Sequence, residues 1–377
     1  MDRIYFSPGM FGFGRLVSFE YFGHFAKALE AEFRAKGRDV VTYTVDVMPT
    51  ASIRRRAAKL AELVAKTAGN DGGDIHLVGH STGGLDARLV ASPSCHLPIA
   101  KNALDWLPRL KSVSALNAPH YGTPLASFFA TVSGQRMLYA ISALTVVGLG
   151  LGKHPLSAIS TLVWAVGRAD AALDLHLLDR VADSIVGALE PARNREVQEF
   201  LHAIKEDQGA VIQLSPEAMD LFQAGVEDRP GVYYQCTATM APPPTTSKLL
   251  STLRGPFSAV TTALFATLQQ VTSRYDERYP CAAPFAGPQQ EAALAQAFGR
   301  APGARANDGV VPLRSQLWGH VAWCGHADHL DVLGHFKDDS GGEHSDWMRS
   351  GAGFTRARFR ELTTAIAHGM LEGRPAS

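Results

Sequence analysis

The segment that most constrains this chain is Ile75-His76-Leu77-Val78-Gly79-His80-Ser81-Thr82-Gly83-Gly84. Residues 75–78 predict a buried strand. A Gly-x-Ser-x-Gly turn follows, and residues 83 to about 90 predict a helix. A serine on so sharp a turn sits in a strained backbone conformation. A Cβ two residues to either side would collide with it, hence Gly79 and Gly83. The following helix aims its N-terminal amides at the serine, and such amides favour negative charge. Gly84 allows that helix to lie close to the sheet. A bare Gly-x-Ser-x-Gly arises by accident in a chain with 35 glycines, and then marks only a turn with an incidental serine. The strand before it and the helix after it make it an elbow that presents a nucleophile, Ser81. His80, inside the motif, reads as a packing and orienting residue.

Around this elbow the predicted elements alternate. Residues 4–6 read as a short buried strand ended by Ser7-Pro8-Gly9. Residues 21–36 carry Phe22, Phe25, Leu29 and Phe33 at helical spacing, and Gly37 supplies a stop. Residues 39–45 are β-branched and aromatic. Ser52 can cap a helix carrying Ile53, Ala57, Leu60, Leu63 and Val64, and residues 113–116 predict a fourth strand. Strands alternating with helices predict an α/β fold, a mostly parallel sheet covered on both faces. The alternation breaks between about 127 and 228, where helical apolar patterns run without a convincing strand. Residues 231–237 resume as a strand, 317–323 predict another, and 354–368 close the chain as an amphipathic helix. An interruption of roughly a hundred residues has the size of a cap. The expected organisation is therefore a core of residues 1–126 and 229–377, with a helical lid or cap insertion at 127–228. The pattern leaves residues 241–300, with Pro242-Pro243-Pro244, unassigned.

Composition excludes several classes. Of the 377 residues 46% are hydrophobic and 19% charged, enough to fill a large core. Lys+Arg and Asp+Glu balance at 36 each, so no basic field exists to attract nucleic acid. The uncharged stretch 137–152 is shorter than the roughly 20 residues a spanning helix needs, and reads as a buried or interfacial helix. The first residues show no basic region, long apolar run or small-residue cleavage site. That predicts a cytoplasmic protein, or a secreted one if a leader has been removed. Cys95, Cys236, Cys281 and Cys324 are scattered without a C-x-x-C pair and read as free buried thiols, with a disulfide as the alternative.

Several separated blocks, in order, resemble the bacterial triacylglycerol lipase and carboxylesterase branch of the α/β-hydrolases. Ser7-Pro8-Gly9-Met10-Phe11-Gly12 stands where that family carries a His-Gly-apolar loop, with Pro8 in place of the usual His. Asn117-Ala118-Pro119-His120-Tyr121-Gly122-Thr123-Pro124-Leu125-Ala126 is similar to its Thr-Pro-His-x-Gly-Ser/Thr block. Gln213-Leu214-Ser215-Pro216-Glu217-Ala218-Met219 and Gly231-Val232-Tyr233-Tyr234 also look like family segments. The resemblance implies a serine carboxylic-ester hydrolase.

A nucleophilic serine needs a base within reach and an acid to orient it, which this fold supplies in the order Ser, Asp, His. Asp308, in Ala306-Asn307-Asp308-Gly309-Val310-Val311-Pro312, matches the family's Asn-Asp-Gly-apolar-Val and is the expected acid, with Asp276 as fallback. Among His320, His326, His329, His335 and His344, His329 fits the family's His-Leu-Asp/Glu tripeptide and is the expected base. His326 is the second choice. The oxyanion hole is expected from the amides of Met10 and Thr82. The change to Pro8 removes a side chain that could anchor the Met10 loop. Asp331 matches a family position that binds calcium in some members, but no upstream partner is found and no metal is expected. The chemistry implies no cofactor.

Phe11, Phe13, Phe128, Phe129, Leu138, Val146 and Val147 suggest an apolar acyl pocket. A second apolar run, 156–166, follows 137–152, and together they suggest a mobile lid that opens on a lipid or polymer surface, or else a rigid cap. The expected substrate is an ester of an apolar acid. A polyester depolymerase or an acyltransferase could use the same residues, and a non-catalytic binding protein could retain the fold.

Overall fold

The computed structural model describes residues 1–10, 15–16, 19–131, 134–135, 137–139, 141–142, 191–242, 256–275, 281, 287–336 and 350–373. Strand β1 (Asp2–Ser7) is buried along its whole length. A two-stranded antiparallel ribbon, β2 (Arg15–Leu16) and β3 (Phe19–Glu20), precedes helix α1 (Gly23–Ala35). The helix buries Phe25, Leu29 and Phe33, the stripe its spacing predicts. Then come β4 (Val40–Thr44), α2 (Ile53–Thr67), β5 (Ile75–His80), α3 (Thr82–Ala91) and β6 (Leu110–Leu116). Ser52 caps α2, its side chain accepting from the Arg55 amide.

After β6 come α4 (Pro124–Phe129), α5 (Pro191–Glu206), α6 (Gly209–Gln213) and α7 (Pro216–Gly225). Strand β7 (Tyr233–Met240), α8 (Pro256–Thr272), α9 (Pro288–Phe298), β8 (His320–His326) and α10 (Arg356–Glu372) follow. The main sheet is parallel throughout, in the order β4-β1-β5-β6-β7-β8.

This order fixes where a site can form. From β1 the chain steps to β4 on one side; from β5 it steps to β6 on the other. Right-handed crossovers in opposite directions put α1 on one face of the sheet and α2 and α3 on the other. The contacts agree, since α1 packs on α10 and α2 on α3. The loops after β1 and β5 therefore diverge over adjacent strands, leaving a crevice at the carboxyl edge.

The end of the 127–228 segment is tied to the body. The Ala210 amide donates to the Thr50 carbonyl at 2.8 Å, the Thr123 amide to the Leu214 carbonyl at 2.9 Å, and the Ile53 amide to Gln213 Oε1 at 2.8 Å. Of the apolar runs 137–152 and 156–166, only Met137, Leu138, Tyr139, Ile141 and Ser142 are among the described residues. Met137, Leu138 and Ile141 join the main core. Among the described residues no helix is long and apolar enough to cross a membrane. All four cysteines are free; Cys236 and Cys281 are buried, Cys95 and Cys324 half-buried.

Two strands are displaced from their expected places; residues 231–237 predict one, whereas β7 runs from 233 to 240. Residues 317–323 predict a strand, whereas β8 runs from 320 to 326. Gly319 adopts φ +62, which ends the preceding turn and starts the strand late. Leu317 owes its burial to a small satellite cluster with Ala238, Leu294 and Leu313.

His76, near the start of β5, is fully buried with Nδ1 2.8 Å from Ser112 Oγ. Burial pushes its pKa down to about 4 from 6.5. Between those values the unfolded chain takes up a proton that the folded chain refuses. Its contribution is therefore complete above about pH 6.5 and is lost as the pH falls toward 4, by on the order of 3 kcal/mol. His80 and His120, also held well below the ordinary value by burial, act in the same sense. Melting temperature is expected to fall between pH 7 and 4.5, and His76→Asn to flatten that slope. Identical slopes for wild type and variant would show that His76 is not held neutral.

Candidate active site

Ser81 sits between β5 and α3 with φ +54 and ψ −126. Among the described residues it and Asn117 are the non-glycine positions with positive φ. A Cβ on Gly79 would run into the Gly83 carbonyl, and one on Gly83 into the Ser7 carbonyl, so both positions must be glycine. Gly84 is crowded by the Ala118 Cβ in the same way, which brings α3 close to the sheet. The Ser81 amide donates to the Leu116 carbonyl at 2.8 Å, fastening the turn to β6. Thr82 is the first residue of α3, where the helix offers its amide no carbonyl.

Asp308 lies in a tight loop closed by an Asn307–Pro312 bridge, with Gly309 at φ +96. Its Oδ1 accepts from the amides of Val310 at 2.9 Å and Val311 at 2.7 Å. Oδ2 is left for His329 Nδ1, 2.7 Å away. Asp308 is 0% and His329 2% exposed, so little water competes for this bond. A carboxylate only accepts, so Nδ1 carries the proton and Nε2 presents its lone pair. Nε2 is buried without a hydrogen-bond partner among the described residues. The His329 amide also donates to the Asp308 carbonyl at 3.1 Å, joining the two loops through backbone as well.

The alternatives fall elsewhere. Asp276 and His344 lie outside the described residues. His326 is the last residue of β8, its ring against Phe298 at 5.2 Å. Asp331 Oδ2 accepts from the Asp328 amide at 2.7 Å, within its own loop.

Met10 and Ser81 line one small apolar pocket with Pro119, Leu125, Phe129 and Leu214, and with Val310 and Val311 from the Asp308 loop. Of the expected acyl-pocket residues only Phe129 is in that lining; Phe11, Phe13, Val146 and Val147 lie outside the described residues. A Cβ on Gly9 would stand 2.8 Å from the Ser81 Cβ, so the Met10 loop presses directly on the serine.

Pro8 leaves that loop without an anchoring side chain of its own, and three residues not singled out from the sequence supply one. Arg56, fully buried on α2, donates to the Pro8 carbonyl and pairs with Asp86 of α3 at 2.9 Å. Asp86 also accepts from Ser7 Oγ at 2.7 Å. Tyr21 donates to His80 Nδ1 at 2.7 Å, and His80 Nε2 donates to the His329 carbonyl at 2.7 Å. The signal for Arg56 was present: it shares helical spacing with Ile53, Leu60 and Val64, and a charge on a buried stripe requires a partner. Tyr21 gives no such signal.

The 117–126 block forms the wall opposite. Asn117 takes its strained φ because its side chain donates to Thr239 Oγ1 and accepts from Thr237 Oγ1, both at 2.8 Å. Thr123 Oγ1 donates to the Val310 carbonyl at 2.5 Å, tying this wall to the Asp308 loop. His120 is buried and accepts from Arg88 at 3.2 Å, and Arg88 lies 3.4 Å over the Trp318 ring.

No protein-family model matches the sequence, and no curated protein sequence matches it either. Solved structures do. EstA from Clostridium botulinum is 20% identical, with 96% of this chain and 87% of that chain covered, at a TM-score of 0.50. Lipase 1 from Pelosinus fermentans is 16% identical, with 97% and 98% covered, also at 0.50. At such identities the likeness concerns the fold, and with the parallel sheet and its flanking helices it shows that this chain has the α/β-hydrolase fold.

Proposed function

We propose that the protein is a serine carboxylic-ester hydrolase that works through an acyl-enzyme on Ser81 and takes esters with apolar acyl chains. The observation that carries this reading is the buried Asp308–His329 bond, which leaves His329 Nε2 as an unsatisfied acceptor. Nothing in the packing of the fold calls for such an atom, whereas a general base requires one. In this reading Nε2 takes the Ser81 proton as Oγ attacks the ester carbonyl. Asp308 holds the tautomer and stabilises the imidazolium. The amides of Thr82 and Met10 receive the oxyanion. His329 then protonates the leaving alcohol, and water repeats the sequence to free the acid. The pocket walls at Leu125, Phe129, Leu214 and Val311 offer an acyl chain apolar contact and no charge. One of the two similar structures is a lipase by name, which supports the same reading.

The test is a fluorophosphonate probe, which bonds covalently only to an activated serine. Stoichiometric labelling at Ser81 is expected, together with p-nitrophenyl ester turnover that varies with acyl length. A chain left unlabelled by the probe would be a binding protein on this fold.

A further inference from the structure

A buried polar chain joins the loop after β1 to the loop after β8, and the proposed reaction assigns it no part. It begins at the peptide unit between Pro8 and Gly9. The carbonyl of that unit accepts from Arg56, and the Tyr21 hydroxyl packs against its Gly9 end. A Cβ on Gly9 would stand 3.1 Å from that hydroxyl and 3.3 Å from His80 Nδ1, so the three groups meet at one point. Tyr21 then donates to His80 Nδ1, and His80 Nε2 to the His329 carbonyl, at 2.7 Å each. The directions follow from the far end: a carbonyl only accepts, so Nε2 carries the proton and Nδ1 must accept. Tyr21 is 2% and His80 0% exposed.

A peptide unit held at its carbonyl by Arg56 and packed against the Tyr21 hydroxyl at Gly9 keeps one orientation, and the plane carrying the Met10 N–H is hinged to it at the Gly9 Cα. At the other end the same chain grips the backbone of His329. We infer that Tyr21 and His80 are positioning residues that hold the Met10 amide and His329 in register on either side of Ser81. This rests on the reading of Ser81 as nucleophile, His329 as base and Met10 as oxyanion donor. Such groups act only within a fraction of an ångström of their working geometry, and two loops from distant parts of the chain need a common brace to reach it. Burial keeps His80 neutral, so the brace places no second charge beside the imidazolium that forms on His329.

The test uses the full chain with a soluble p-nitrophenyl ester and the fluorophosphonate probe. Tyr21→Phe removes one oxygen and keeps the ring against Phe22. It is expected to lower kcat and the rate of Ser81 labelling by about 10- to 100-fold, with KM within about twofold and Tm within a few degrees. His80→Leu is expected to lose a similar factor. His80→Gln keeps a donor for the His329 carbonyl and is expected to recover at least about threefold over His80→Leu. The double variant Tyr21→Phe/His80→Leu is expected to be no slower than the worse single one. Wild-type kcat in Tyr21→Phe overturns the inference. So do equal rates for the two His80 variants, losses that multiply in the double variant, or a loss of kcat that merely follows loss of folded protein. If Tyr21→Phe does not fold, the two His80 variants decide. Turnover that persists in Ser81→Ala overturns the reading of the site itself; an inert Ser81→Ala beside a full-rate Tyr21→Phe overturns only the positioning role.

Discussion

Ser81→Ala is expected to lower ester turnover by about 10⁴- to 10⁶-fold while far-UV circular dichroism and Tm remain those of the wild type. Both halves follow from what Ser81 does in the fold. Its structural contribution is made by backbone: a positive φ and an amide bonded to the Leu116 carbonyl. Alanine keeps the Cβ that the turn already accommodates beside Gly9, so the variant adds no strain and opens no cavity. All that leaves is the hydroxyl oxygen, which in the proposed reaction forms the acyl-enzyme. Residual turnover would come from the proposed oxyanion amides acting on bound ester and water. A variant retaining more than one per cent of the wild-type kcat/KM, on protein checked by mass for a single species, would place the chemistry elsewhere.

The parts of this molecule legible in sequence are those whose physical cause is local. The elbow is one: the strain at Ser81 and the collision of a Gly79 Cβ with the Gly83 carbonyl arise within five consecutive residues, and only the Ser7 carbonyl that crowds Gly83 comes from elsewhere. The Ser52 cap and the Phe25–Leu29–Phe33 stripe are others, set within a few helical turns. Asp308 and His329 came from a resemblance, and the structure brings them together across 21 residues. What was not legible lies further apart. Tyr21 reads as the start of an apolar helix, and its link to His80 spans 59 residues of chain. Arg56 gave half a signal, a charge on a buried stripe, but its acceptors come from α3 and from the loops at Pro8 and at Met48–Pro49. The strand at 317–323 slipped by three because apolar composition marks burial, whereas pairing starts only after the Gly319 turn.

The second large effect separates what Asp308 does for the loop from what it does for His329. His329→Ala removes the proposed base and is expected to cost about as much as Ser81→Ala, with the double variant no worse than either single one, because in the proposed reaction the residues act as a unit. Asp308 has two duties on two oxygens. Oδ1 accepts from the amides of Val310 and Val311 and so holds the loop; Oδ2 accepts from His329 Nδ1. Asp308→Ala deletes both, leaving two buried amides without their acceptor. It is expected to lose about 1–3 kcal/mol of stability as well as activity. Asp308→Asn can keep the first duty, since its carbonyl oxygen can take the place of Oδ1. Its NH₂ then faces His329 Nδ1 and can only donate, which turns Nδ1 into the acceptor and puts the proton on Nε2. The imidazole then offers Ser81 a donor where a base is needed. Asp308→Asn is therefore expected to keep a near-native Tm and yet lose about 10⁴-fold in kcat near neutral pH. Activity close to wild type in a stable Asp308→Asn would mean that His329 does not depend on this carboxylate for its tautomer. Asp308 would then be a loop-capping residue, and the acid would have to be sought elsewhere in the chain.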